Sequence, residues 1–299
     1  MERIKKKRAV LRIAASAFAV AFIVFAIMLA RELWQTKKEA DSFAELAAMR
    51  LPKEETQPTA GAAATSKPIQ INIIVNEDNT ASTETVETGA VVEGIDEPPS
   101  EEEQPEEPSR LQRYLPLYER NHDFFAWLTV PDTIVDYPVM YSPDRPLQYL
   151  GHDFDGNFSY AGVPFLDSDC DPDGSYYLVY GHQMRNGAMF GGLLAYEDKS
   201  FWESHPIFYF DTLYEERTYE VIAVIRSRVL DQEERGFRYY NYTSLDSPKE
   251  FDEYMRQVRK LAMYDTGIDA SYGDELLVLS TCHHYTQNGR FAIIAKRVV

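Results

Sequence analysis

The chain has 299 residues, 48 Asp and Glu against 30 Lys and Arg, and a formal net charge of −18. Such acidity argues against nucleic acid as a partner, because phosphates demand basic patches; cationic substrates stay open. The charge is unevenly spread: residues 1–51 hold ten bases against five acids, residues 52–110 three against fourteen, and residues 111–299 seventeen against twenty-nine. Only the last part, which holds most of the aromatics, has the composition of a globular domain.

In chain order, the basic segment 1–12 (Arg3, Lys5, Lys6, Lys7, Arg8, Arg12) precedes the uncharged run Ile13 to Ala30. Roughly 18 to 20 apolar residues span the hydrocarbon core as a helix. The basic cluster marks the cytoplasmic side, which places the C-terminal bulk outside the cell. A cleaved signal peptide is the rival, but the run is long for one and Met28 breaks the small-x-small cleavage pattern. The expectation is an uncleaved single-pass anchor over 13–30. Residues 31–51 read as a membrane-proximal helix, with Leu33, Phe43, Leu46 and Ala47 spaced loosely along one face. Residues 52–110 read as an acidic, disordered tether, since they bury too little apolar surface to offset their ordering entropy. Ile69 to Val75 alone has strand character there, with no function attached to it.

Residues 111–299 open with a helical pattern at Leu111, Tyr114, Leu115, Leu117 and Tyr118, interrupted by Pro116. Residues 149–166 read as loops between short strands. Strands are expected at 175–180, 206–211 and 218–229 from β-branched and aromatic content. Ser247-Pro248-Lys249-Glu250 is a capping box with proline at the first helical position, and the following helix carries Phe251, Tyr254, Met255, Val258 and Leu261 on one face. The last two strands are Leu276 to Cys282 and Phe291 to Val299. Mainly short strands, with a helix in front and one inserted before the last pair, suit a closed or nearly closed β-barrel better than an alternating βαβ sheet.

Cys282 ends an apolar strand, and Arg290 follows eight residues on at the neighbouring strand end. A thiol beside a permanent cation favours the thiolate, although a cysteine after an apolar strand is also an ordinary core residue. Of six histidines, His182 closes the strand YYLVYGH and ranks first as proton donor and acceptor. His284, two residues past Cys282, ranks second; His283 alternates to the opposite face. Asp169 to Gly174 matches the first half of a calcium loop, but Tyr180 stands where the bidentate acid belongs, so an Asp-Pro-Asp-Gly turn is the preferred reading. Cys170 lies in that turn, and a free nucleophilic Cys282 implies no disulfide between the two.

The segments VLSTC (278–282), VYGHQM (179–184) and GRF (289–291), with WLTVPDTIVDYPVM, RPLQYLGHDF, GVPFLDSD and GAMFGGLLAYEDKSFW, resemble the signature segments of sortases, the membrane-anchored cysteine transpeptidases of Gram-positive bacteria. The helix before the last strands resembles class B, over residues 111–299. The resemblance implies an eight-stranded sortase β-barrel, and a mechanism. Cys282 attacks a threonine carbonyl in the C-terminal sorting signal of a secreted protein, giving a thioacyl enzyme. His182 protonates the departing amine, then takes a proton from an incoming amine of a peptidoglycan precursor. Arg290 supplies donors to the oxyanion. Thr281, Tyr180 and His284 are expected in substrate binding or behind the site, and no metal or organic cofactor is required. Class B members commonly carry an acid directly after the cysteine, where this chain has His283 and His284. A tethered thiol hydrolase, a pilin-polymerising enzyme and a silent binding module remain the alternatives.

Overall fold

A computed structural model describes residues 2–51 and 110–299, with side chains from residue 18 onward. The tether expected over 52–110 and its strand-like stretch 69–75 therefore lie outside the described residues, Arg110 excepted, as do the side chains of the basic cluster.

Eight strands form the body: β1 (Phe124–Thr129), β2 (Asp136–Met140), β3 (Phe165–Leu166), β4 (Tyr176–Tyr180), β5 (Ile207–Thr212), β6 (Thr218–Arg228), β7 (Leu276–Cys282) and β8 (Gly289–Arg297). They close into a barrel in the order β1-β2-β3-β4-β7-β8-β6-β5. The pairs β2/β3 and β4/β7 are parallel and the others antiparallel. Three strands expected from composition lie within a residue of their positions, and the last begins two residues early, at Gly289.

Strand β7 is apolar along its whole length because both of its faces are covered. On its neighbour β4, Tyr177 points among Phe125 and Phe210, whereas Tyr176 meets Tyr254 of the helix α4 (Pro248–Leu261). Residues alternate across a strand, so Leu276, Val278, Ser280 and Cys282, in register with Tyr176, Leu178 and Tyr180, share the face toward α4. The long β6–β7 connection thus roofs one side of the sheet. Its helix starts as the sequence predicts: the Ser247 side chain accepts from the Glu250 N–H, Pro248 sits in the first turn, and Phe251, Tyr254, Met255 and Val258 are buried.

One feature extends the expectations and another corrects them. The N-terminal region is a single helix, α1 (Glu2–Met49), which runs on from the expected anchor into the expected membrane-proximal helix. Its last turns fold against the barrel: Leu46 is buried, Phe43 meets the edge of Tyr137 at 5.0 Å, and Leu33, assigned to the same face, is exposed. Secondly, Pro116 does not interrupt a helix but starts one, in the first turn of α2 (Leu115–Arg120), where a missing N–H costs nothing. Between α1, α2 and the barrel lies a second core containing Leu46, Tyr114, Leu117, Phe124, Trp127 and Tyr149.

Candidate active site

Cys282 and Arg290 are the last registered pair of the antiparallel β7/β8 ladder. Arg290 Nη1 donates to Cys282 Sγ at 3.5 Å and to the Gly289 carbonyl at 3.1 Å. The turn that returns the chain depends on local chemistry: His283 N–H donates to Gly289 O at 2.9 Å, and Asn288 adopts φ +55°, which asparagine tolerates better than most residues. At Gly289 a Cβ would stand 2.2 Å from the His283 carbonyl oxygen, so only glycine fits. The Cys282 side is exposed, as a thiol that meets a substrate must be.

The parallel β4/β7 pairing brings the second segment alongside. Tyr180 is in register with Ser280, Gly181 N–H continues the ladder to Ser280 O at 3.1 Å, and Thr281 Oγ1 donates to Gly181 O at 2.7 Å. Continuing that register by one more step brings His182 level with Cys282. A Cβ at Gly181 would press on the Phe190 ring at 2.6 Å. His182 Nε2 lies 2.7 Å from Leu150 O, and a carbonyl only accepts, so that nitrogen carries the proton. The imidazole is thus anchored by a backbone carbonyl rather than by the thiol, which suits proton exchange with a substrate amine more than deprotonation of Cys282.

The remaining candidates are placed as follows. Thr281 is buried and joins the two strands. Tyr180 shares the face of Ser280, packs on Phe165 at 5.7 Å and lies against Asp167; burial pushes its hydroxyl pKa up. His284 is exposed in the turn. The strand ends at Cys282, so the alternation that would bring His284 to the thiol's side stops there. His283 turns instead to Glu197, with Nε2 to Oε1 at 2.7 Å. Among the described residues no group of three or more His, Cys, Asp or Glu is arranged to hold a metal. In Asp169 to Gly174, Asp171 accepts from Asp173 N–H and, through its carbonyl, from Gly174 N–H, which is an ordinary turn. Cys170 is buried, and burial pushes its thiol up to about 12.

Sequence reasoning missed Tyr239, whose hydroxyl meets Ser280 Oγ at 2.7 Å behind the Cys282–Arg290 pair. Burial raises its pKa, and the Ser280 bond and Arg290 oppose that rise. Ser280 was findable, two residues before Cys282 and hence on the same face. Tyr239 was not, because it comes from the irregular β6–β7 connection.

No protein-family profile matches the chain. It is 31% identical over 186 residues to sortase B of Listeria monocytogenes, covering 61% of this chain and 72% of that protein. Among solved structures, sortase B of Bacillus anthracis superposes with a TM-score of 0.55 at 29% identity, covering 64% of this chain and 88% of that one. Sortase B of Clostridium perfringens gives 0.56 at 27% identity, covering 62% and 98%. Barrel, roofing helix and these likenesses together define a cysteine transpeptidase of the sortase fold. Within that class, the chain belongs to the sortase B family.

Proposed function

We propose that this transpeptidase cleaves the C-terminal sorting signal of secreted proteins after a threonine and passes the acyl group to an amine of a peptidoglycan precursor. The observation that carries the reading is the exposed Cys282 thiol with Arg290 Nη1 donating to its sulfur at 3.5 Å. Arg290 favours the thiolate, which adds to the threonine carbonyl. As the oxyanion forms, the guanidinium donors transfer their hydrogen bonds to it. Collapse breaks the C–N bond, with the electron pair leaving on the amine and a proton arriving from His182 in its protonated, imidazolium form. The incoming amine attacks the thioester, gives its proton to His182, and expels the Cys282 thiolate. Thr281 holds β4 and β7 together, and Tyr180 and Ser280 line the face behind.

The anchor belongs to the same reading. From Phe18 the α1 helix is apolar, with mean hydropathy 1.7 over its best window, and Phe18, Phe22, Phe25 and Ile27 are exposed. Such a surface is stable in lipid and costly in water. The basic first turns then lie in the cytoplasm and the barrel outside.

The test is product analysis with the full chain, a sorting-signal peptide, and an added amine. An amide-linked product that disappears in Cys282→Ala supports the proposal. Carboxylic acid alone, with and without amine, would make the protein a tethered thiol hydrolase. Transfer to a lysine of a second secreted protein would make it a pilin polymerase.

A further inference from the structure

The residue directly after the thiol is a histidine held from both ring nitrogens. Tyr285 N–H donates to His283 Nδ1 at 3.0 Å. A backbone N–H is always a donor, so Nδ1 is unprotonated and the ring proton sits on Nε2. That Nε2–H points to Glu197 Oε1 at 2.7 Å, and the His283 side chain is only 13% exposed. Glu197 is in turn fixed by Arg226 of β6, whose Nε and Nη2 lie 2.9 and 2.8 Å from the same oxygen. Tyr285 closes the assembly by donating its hydroxyl to Ser227 O at 2.5 Å. The charged and titratable groups around the imidazole are therefore Glu197, Arg226 and Tyr285, with Cys282 and Arg290 at the strand ends beside it.

Glu197 ends the 3-10 segment Phe190–Glu197, and Phe190 N–H donates to His182 O at 2.9 Å. One short segment thus grips the backbone of His182 at its start and the side chain of His283 at its end. We propose that His283 is a positioning residue: clamped to Glu197, it fixes the β7 end so that Arg290 stays on the Cys282 sulfur, and it ties that end to the segment that holds His182. The proposal rests on the reading of Cys282 and Arg290 as reacting groups. A mere solvated loop histidine would need neither partner, whereas this one has both nitrogens satisfied and its carboxylate braced by an arginine.

The experiment is alkylation of Cys282 by iodoacetamide, followed site by site by mass spectrometry in the full chain across pH, with the unfolding midpoint measured in parallel. This readout needs no sorting signal and does not depend on turnover. In His283→Ala and Glu197→Ala, the alkylation rate at pH 7 is expected to fall about tenfold and its pH midpoint to rise, as displacement of a positioned group by about 1 Å allows. The double variant is expected to lose no more than either single one. His283→Gln, which keeps an N–H for Glu197, is expected to recover most of the rate. Unchanged alkylation in His283→Ala, additive losses, or an equal loss in His283→Gln would overturn the proposal. If instead Cys282→Ala retains transfer activity, the active-site reading fails, and that outcome is separate from all of these.

Discussion

Arg290 Nη1 donates to both Cys282 Sγ and Gly289 O, and the planar guanidinium carries further donors in a fixed fork that the point charge of a lysine does not reproduce. Arg290→Lys retains the charge and loses the fork, so kcat/KM for peptide cleavage is expected to drop about a hundredfold or more, the loss typical of an oxyanion donor. The histidines separate in the same assay. His182→Ala is expected to cost about two to four orders of magnitude, as removal of a general acid and base does. His284→Ala, at an exposed turn position, is expected to leave the rate within about twofold. Equal losses in the two would show that position at the end of β4 is the wrong criterion. Cys282, Arg290 and His182 were each singled out in the sequence because each lies at or close to one end of an apolar strand. Tyr239 and Glu197 were not, since nothing local to them distinguishes a residue that reaches the site from one facing solvent.

Among elements, the end of α1 behaves as part of the barrel rather than as a stalk. Asp136 of β2 accepts from both arms of Arg50 at 3.2 and 2.8 Å, from Trp127 Nε1 at 2.6 Å and from Thr129 Oγ1 at 2.8 Å. The Arg50 guanidinium also lies 4.1 Å over the Trp127 ring, a cation–π contact. Asp136→Ala leaves a buried indole N–H and a half-buried guanidinium without their acceptor. It is expected to lower stability by about 1–3 kcal/mol in denaturant unfolding, with Arg50→Ala non-additive to it. Leu46→Ala removes a buried side chain from the same seam and is expected to speed amide exchange in the last turns of α1, because undocking of the helix competes with global unfolding. The sequence made residues 31–51 a helix. The docking depends on Asp136 and Tyr137, far along the chain, and no periodicity in residues 31–51 reports them.

At the scale of the molecule, the acidic barrel contains carboxylates that titrate in opposite directions. Hydrogen bonding by Arg297, with Arg217, holds the Glu215 carboxyl below its usual range despite partial burial. Its stabilising contribution is present above the unfolded-state pKa and is lost as pH falls through the depressed folded value. Burial raises Asp211, even though Tyr114 donates to it at 2.6 Å. Its ionised form weighs against folding at neutral pH, and that burden lifts as pH falls through the raised value. Glu215→Gln is therefore expected to destabilise at pH 7 by at most about 1 kcal/mol, since the pair is partly exposed, and to match the parent well below about pH 4. Asp211→Asn, which retains an acceptor for Tyr114, is expected to be no less stable than the parent at pH 7 and to lose any advantage in acid. Unfolding midpoints at the two pH values check both signs.

By itself the sequence determined the strands at 176–180, 207–212 and 218–228, the last pair, the capped helix before it and a closed or nearly closed β architecture, because hydrophobic period, capping and turn chemistry act within a few residues; β3 (Phe165–Leu166) lies in a stretch that reads as loop. It also placed Cys282 and Arg290 at neighbouring strand ends, because each flanks the polar segment between two apolar runs; that they form a registered pair was decided by β8 starting at Gly289 rather than Phe291. Tertiary structure alone decided that the end of α1 is docked by Arg50, that the Tyr239 hydroxyl sits behind the thiol, and that His283 is clamped to Glu197. These are contacts between residues distant along the chain, and they depend on barrel closure, which brings the ends of β4, β6, β7 and β8 to one place.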